Sequence, residues 1–270
     1  MYAPTLIHVN RAANPPPSFS LFGVGIVGGV MAGFFGVGGG IIMVPLLLWW
    51  AKINQREAQA TSLVAIAPAA IVGTASYSLG GVFPLLPALV LAMGAVAGAQ
   101  MGAFLLRRLS LGWLRWTFTG FVAMMSLTVM LTVPHREAQV QLGIAESVAL
   151  LLIGMGMGTA SGLFGIGGGI VAIPLIMLTF GVGDLEAKGM SLIAMAPAAI
   201  SGSWAHLRNQ IARLRNGAWI AGGALVATPV GAAGAFSLPE TFANVVFGLF
   251  ALAIAVFLAF RAMFSSKNSR

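Results

Sequence analysis

Apolar residues come in long blocks separated by short polar breaks. The blocks run Leu21–Ala51, Ala58–Leu79, Leu85–Leu106, Leu111–Val133, Ile144–Val182, Ala187–Leu207, Ala218–Leu238 and Phe242–Phe264. A helix that crosses a bilayer needs about 20 apolar residues. Six of the blocks have that length and two do not. Leu21–Ala51 would be roughly 46 Å long as one straight helix, against a hydrocarbon core of about 30 Å. Ile144–Val182 is longer still. Each overlong block carries a run of glycines near its middle.

Those two runs expose a duplication. Gly33-Phe34-Phe35-Gly36-Val37-Gly38-Gly39-Gly40 is matched by Gly162-Leu163-Phe164-Gly165-Ile166-Gly167-Gly168-Gly169, and each copy is followed by a proline, Pro45 or Pro174. The offset is 129 residues, and it holds without a gap into the next block. Over Glu57–Gly73 against Glu186–Gly202, 11 of 17 positions are identical. Apolar composition alone would not keep a glycine pattern, a serine and two prolines in register. The chain divides into a polar N-terminal tail (1–20), repeat 1 (21–133), a linker (134–143), repeat 2 (144–264) and a C-terminal tail (265–270).

Charge placement bears on orientation. If all eight blocks cross, Lys and Arg divide 8 to 6 between the two sides. If each glycine-interrupted block enters and leaves on one side, they divide 12 to 2, with only Arg136 and Lys188 on the poor side. The second division is what the positive-inside bias predicts. Each repeat then crosses three times, and the halves are inverted. The expected fold is an all-α polytopic membrane protein of eight apolar segments in two homologous four-segment repeats, inverted, the first segment of each broken or re-entrant at its glycine loop. Both termini are expected to be cytoplasmic in a plasma (inner) membrane, multi-pass protein.

Composition fits. Of 270 residues, 59% are hydrophobic and 7% charged, against roughly 45–50% and 25% in a soluble domain. So few charges cannot cover a water-soluble surface, and the lipid bilayer is the expected partner. Cysteine is absent, which excludes thiolate metal sites, iron–sulfur clusters and cysteine nucleophiles. The net charge of +8 fits topology charges and anionic headgroups; no basic soluble domain exists to bind nucleic acid. The polar Met1–Ser20 stretch does not read as a cleaved signal.

The glycine runs allow three chemical readings. A nucleotide loop fails, because no Gly-Lys-Ser/Thr follows. Helix packing suits the small residues spaced by four, Gly25/Gly29/Gly33, Gly94/Gly98/Gly102 and Gly154/Gly158/Gly162. The duplicated runs suit an unwound backbone, which membrane depth tolerates only where it is buried in protein or lines a wet cavity. A helix restarting at Ile41 or Ile170 would offer unpaired N–H groups and a positive dipole end to an anion. A hinge or a packing role is the alternative.

Other duplicated positions carry weaker signals. Ser62 and Ser191 are either polar lining or donors to a backbone carbonyl. Pro68 and Pro197 should kink their helices. Glu57 and Glu186 stand at helix starts, where an acid is favourable; a coupling role is the sharper reading. His206 and Arg208 replace Tyr77 and Leu79 of the first copy, so an entry-side or coupling role competes with interfacial anchoring. The six tryptophans lie near block ends, as in an aromatic belt. No H-E-x-x-H and no G-x-S-x-G elbow occurs, so the chain is not expected to be an enzyme or to need a cofactor.

The duplicated Gly-Φ-Φ-Gly-Φ-Gly-Gly-Gly-Φ-Φ-Φ-Φ-Pro run (Gly33–Pro45 and Gly162–Pro174), each copy followed by a Ser-Leu-containing helix, resembles the TauE/SafE family of sulfite exporter-like membrane proteins. The resemblance spans roughly residues 20–262. It implies a bacterial-type permease for sulfur oxyanions or organosulfonates such as sulfite or sulfoacetate. The family's motif maps onto Gly36, Gly38, Gly39, Gly40 and Gly165, Gly167, Gly168, Gly169. One departure is visible: Thr61 precedes Ser62, but Met190 precedes Ser191. The expectation is a secondary transporter, an exporter of a small anion working by alternating access, with Thr61, Ser62 and Ser191 adding hydroxyls to the loops. An anion channel and a non-transporting scaffold subunit are the alternatives, and a homo-oligomer is compatible with either.

Overall fold

The computed structural model describes residues 17–131, 140, 142–238, 245, 249, 252–257 and 259–260. The described residues form nine helices: α1 (Ser18–Phe35), α2 (Gly40–Trp49), α3 (Gln55–Leu79), α4 (Leu85–Arg108), α5 (Leu111–Leu131), α6 (Ile144–Phe164), α7 (Gly169–Phe180), α8 (Asp184–Arg208) and α9 (Leu214–Ser237). Each overlong block is two helices with a break at the glycines. The eighth block, Phe242–Phe264, lies largely outside the described residues, as do Arg136 and Glu137. Five helices, α1, α3, α4, α6 and α9, are long and apolar enough to cross a membrane; α2 and α7 are shorter apolar helices. The chain is a multi-pass membrane protein.

Polar residues set several helix starts upstream of the apolar blocks. Asn54 caps α3, its Oδ1 accepting from the Glu57 backbone N–H at 2.9 Å. Glu57 therefore sits in the first turn, where the helix dipole favours a carboxylate. Asp184 and Glu186 hold the same place in α8.

The glycine breaks reverse the chain. A β-carbon on Gly39 would meet the Gly28 backbone, one on Gly28 would meet Met43, and one on Gly23 would lie 4.0 Å from the Trp50 ring. So α2 runs back along α1. In the second copy Gly168 lies against the Met157 backbone and Gly156 approaches Val171, so α7 runs back along α6. A helix continuing in the original direction could make none of these contacts. Both breaks are turns of helical hairpins with one long arm and one short arm.

The spaced glycines pack helices, as their pattern predicts. Gly94, Gly98 and Gly102 of α4 lie on the α6 backbone at Leu151, Met155 and Thr159; Gly154, Gly158 and Gly162 of α6 lie on α4 at Leu91, Ala95 and Ala99. Gly25, Gly29 and Gly33 of α1 press in the same way on α9 at Ile220, Ala224 and Thr228. Each long hairpin arm thus packs on a helix of the other half of the chain. The outer surface is apolar: Leu79, Leu86, Met93, Leu152, Val226 and Val230 are exposed, and so are all six tryptophans.

Candidate functional site

The two hairpin turns meet at the centre of the bundle. A β-carbon on Gly38 would lie 3.2 Å from Gly167 Cα, and one on Gly167 would lie 3.2 Å from Gly38 Cα. Their backbones match. Gly36, Gly38 and Gly39 have φ of 65°, 88° and 72°, and Gly165, Gly167 and Gly168 have 65°, 87° and 81°. These left-handed values are why the turns are built from glycine. Each turn ends its long arm with a glycine C-cap: the Gly36 N–H donates to Ala32 O at 2.9 Å, and the Gly165 N–H to Ser161 O at 2.8 Å.

The short helices start at Gly40 and Gly169, one residue earlier than the pattern suggested. Gly39 O accepts from the N–H groups of Ile42 and Met43, and Gly168 O from those of Val171 and Ala172. The N–H groups of Gly40, Ile41, Gly169 and Ile170 find no backbone acceptor among the described residues. They are first-turn donors, the group class that binds anions at helix starts.

The duplicated serines cross-link the turns. Ser62 Oγ donates to Gly165 O at 2.7 Å, and Ser191 Oγ donates to Gly36 O at 3.2 Å. Each serine thus reaches from one repeat to the turn of the other. The hydroxyl hydrogen is committed to a loop carbonyl, which leaves only oxygen lone pairs for anything else. Thr61 is fully buried, and its Oγ1 has no hydrogen-bond partner.

The expected entry and coupling residues separate from the turns. Glu57 pairs with Arg213 (Oε1 to Nε, 3.2 Å) at the start of α3. Arg208 is exposed at the end of α8, and Glu186 is half-buried. His206 is fully buried, and its Nε2 lies 2.9 Å from Gly162 O. Tyr77, its counterpart by the repeat, donates its hydroxyl to Gly33 O at 3.1 Å. The two side chains hold the same carbonyl in the two halves. With a carbonyl as acceptor, Nε2 must carry the proton, so His206 anchors a helix. Replacing His206 by alanine leaves that carbonyl without its donor, and an unfolding loss of about 1–3 kcal/mol is expected. A changed pH profile of transport with unchanged stability would restore the coupling reading.

Sequence reasoning missed one pair. Lys188 and Asp184, one turn apart on α8, are buried together with Nζ to Oδ2 at 2.5 Å. A β-carbon on Gly36 would lie 2.8 Å from Cβ and Cγ of Lys188, so the lysine stem lies against the first turn. The signal was available: Lys188 is one of only two cations on the poor side of the charge division. An apolar cavity of about 250 Å³ opens elsewhere, lined by Ile42, Pro45, Leu46, Trp49, Ile254 and Phe257. It holds no group that would attract an anion. Among the described residues no cluster of three or more His, Asp or Glu could hold a metal.

Comparison with known proteins agrees on the family. The family model described as "Sulfite exporter TauE/SafE" matches residues 2–129 and 150–270. A Xylella fastidiosa protein named "Probable membrane transporter protein" is 27% identical over 246 residues, covering 89% of this chain and 94% of that protein. The Bacillus subtilis "Probable membrane transporter protein YunE" is 25% identical over 207 residues, covering 68% of this chain and 76% of that protein. No solved structure matches the chain.

Proposed function

Because the chain belongs to the TauE/SafE family of membrane transporters, we propose that it exports a small anion, sulfite or an organosulfonate, by alternating access at the paired glycine turns. The observation that carries this reading is the meeting of two helix starts at the bundle centre, with unpaired N–H groups on Gly40, Ile41, Gly169 and Ile170. Such donors favour a compact oxyanion. Gly36, Gly38, Gly39 and their copies let the ligand approach the backbone without a side chain between. With Gly38 and Gly167 in contact, no anion fits between the turns, so this is the closed form. The halves are inverted about the turns and both termini are cytoplasmic, in keeping with the 12 to 2 charge division.

No nucleotide loop is present in the sequence, so energy comes from a gradient or from the membrane potential. An inside-negative potential helps expel an anion, by about 2.3 kcal/mol per charge per 100 mV. Purified protein in liposomes is expected to release sulfite or sulfoacetate saturably, faster with an inside-negative potential, and in preference to sulfate and chloride. Ser62→Ala/Ser191→Ala should speed this release, because both cross-links that hold the turns closed are lost. Uptake against a gradient in energised vesicles would overturn the export direction. Movement of none of the four anions by folded protein would overturn the substrate class. Turnover far above about 10³ per second, beyond the usual range for catalysed steps, would make the protein a channel instead.

A further inference from the structure

The two halves of the turn site differ in one respect. By the 129-residue offset, Asp184 and Lys188 of α8 take the places of Gln55 and Gln59 of α3. All four side chains are buried, at 1%, 2%, 4% and 0% exposure. Lys188 lies against Gly36. Gln59 lies against the other turn, where a β-carbon on Gly165 would meet its backbone. Gln59 has no hydrogen-bond partner on either side-chain polar atom, and Asp184 Oδ1 has none.

A buried ion pair is weak evidence for stability, since removing two charges from water costs about as much as their attraction returns. Here the comparison lies within the molecule. The first half holds the same position in the same fold with two neutral amides. The fold therefore does not require charges there, and the second half carries them beside the turn through which an anion would pass.

We infer that Lys188 is an anion-binding residue of the Gly36 turn, and that Asp184 is an internal anion occupying its ammonium while the site is empty. This rests on the turn-site reading above and adds the charge that reading lacked. An incoming oxyanion takes two partners, the N–H groups of the turns and the Lys188 ammonium. Asp184 is released from Nζ as it binds. Besides this pair, the Lys188 stem faces Gly36, whose carbonyl accepts from the Ser191 hydroxyl, and Tyr77, whose hydroxyl is held by Gly33 O, lies within electrostatic reach of Asp184. Substrate binding thus competes with an intramolecular carboxylate, which keeps the empty site from holding a stray chloride.

The test is anion-dependent thermal stabilisation of purified protein with sulfite, sulfate and chloride, alongside flux. Asp184→Asn removes the competing charge in the same shape, and half-maximal stabilisation should occur at about tenfold lower anion concentration. Lys188→Gln alone would strand a buried carboxylate, so the decisive variant is Asp184→Gln/Lys188→Gln. It copies the Gln55/Gln59 pair of the first half and is expected to stay folded and monodisperse. It should lose both the anion response and flux. An unchanged midpoint in Asp184→Asn, or a wild-type anion response in the double variant, overturns the inference. Wild-type protein that moves no sulfite, while Asp184→Asn binds an anion and the double variant does not, leaves this inference standing and removes the sulfite reading. Sulfite flux undiminished in the double variant does the reverse.

Discussion

Gly39→Ala is expected to destabilise the protein by about 2–5 kcal/mol, an overpacked backbone contact added to the left-handed penalty, and to abolish transport, whereas Gly81→Ala should cost no more than about 1–2 kcal/mol, the usual penalty for an L-residue in the left-handed region. Both glycines have positive φ, 72° and 85°. They differ in what surrounds them. A β-carbon on Gly81 meets nothing within 4 Å, while one on Gly39 meets the carbonyl oxygen of Gly28 and lies 2.7 Å from its carbonyl carbon. Helix backbone cannot rotate away as a side chain can, so α2 must lift off α1. Lifting it separates Gly40 from the Gly165 turn and takes the first-turn N–H groups out of place. Gly168→Ala should behave alike, because its β-carbon would lie 2.9 Å from the Met157 carbonyl carbon. Unfolding in detergent, followed with temperature, checks the ranking. Equal losses for Gly39→Ala and Gly81→Ala would show that the hairpin has slack and that packing does not seat the turn.

Much of this arrangement is written in the sequence, for physical reasons that can be named. Three adjacent glycines are poor helix, so the break points were visible, and so was their pairing through the repeat. Glycines spaced by four marked the α4–α6 and α1–α9 seams because only a missing side chain lets two backbones approach so closely. Helix starts were less visible. Gln55 and Asp184 precede the apolar blocks, and the Asn54 cap and first-turn acids Glu57, Asp184 and Glu186 at these starts leave no trace in an apolar count. The direction of α2 and α7 was legible only through the 12 to 2 charge division, which favours entry and exit on one side. A glycine turn permits a reversal and a mere kink alike, and contacts such as Gly28 with Met43 decide between them. The serines read as lining hydroxyls or as backbone donors, and only distance shows them bonding across the halves. Lys188 was legible as a misplaced charge but not as a neighbour of Gly36, since 152 residues of sequence separate them.

The seams yield the second large effect. Gly158→Ala is expected to cost about 1–3 kcal/mol, the range for overpacking a tight interface, and Gly29→Ala a similar amount. A β-carbon on Gly158 would meet the Ala95 carbonyl oxygen and lie 2.7 Å from its carbon; one on Gly29 would lie 2.7 Å from Ala224 Cα. Gly120 of α5 has nothing within 4 Å, so Gly120→Ala should be neutral or stabilising by up to about 1 kcal/mol from helix propensity alone. Unfolding midpoints of the three variants check this, and a Gly120→Ala loss as large as the other two would mean that glycine content, not backbone contact, sets the stability. The seams also limit how the turns can part. Each ties the long arm of one hairpin to a helix of the other half, α1 to α9 and α6 to α4. Two lobes swinging apart would break both seams at once, along their full glycine-lined length. A motion that keeps each hairpin arm on its seam and slides the short arms α2 and α7 breaks neither. The Ser62 and Ser191 cross-links are then the contacts that must yield, and a seam variant should lose stability without losing the preference for one anion over another.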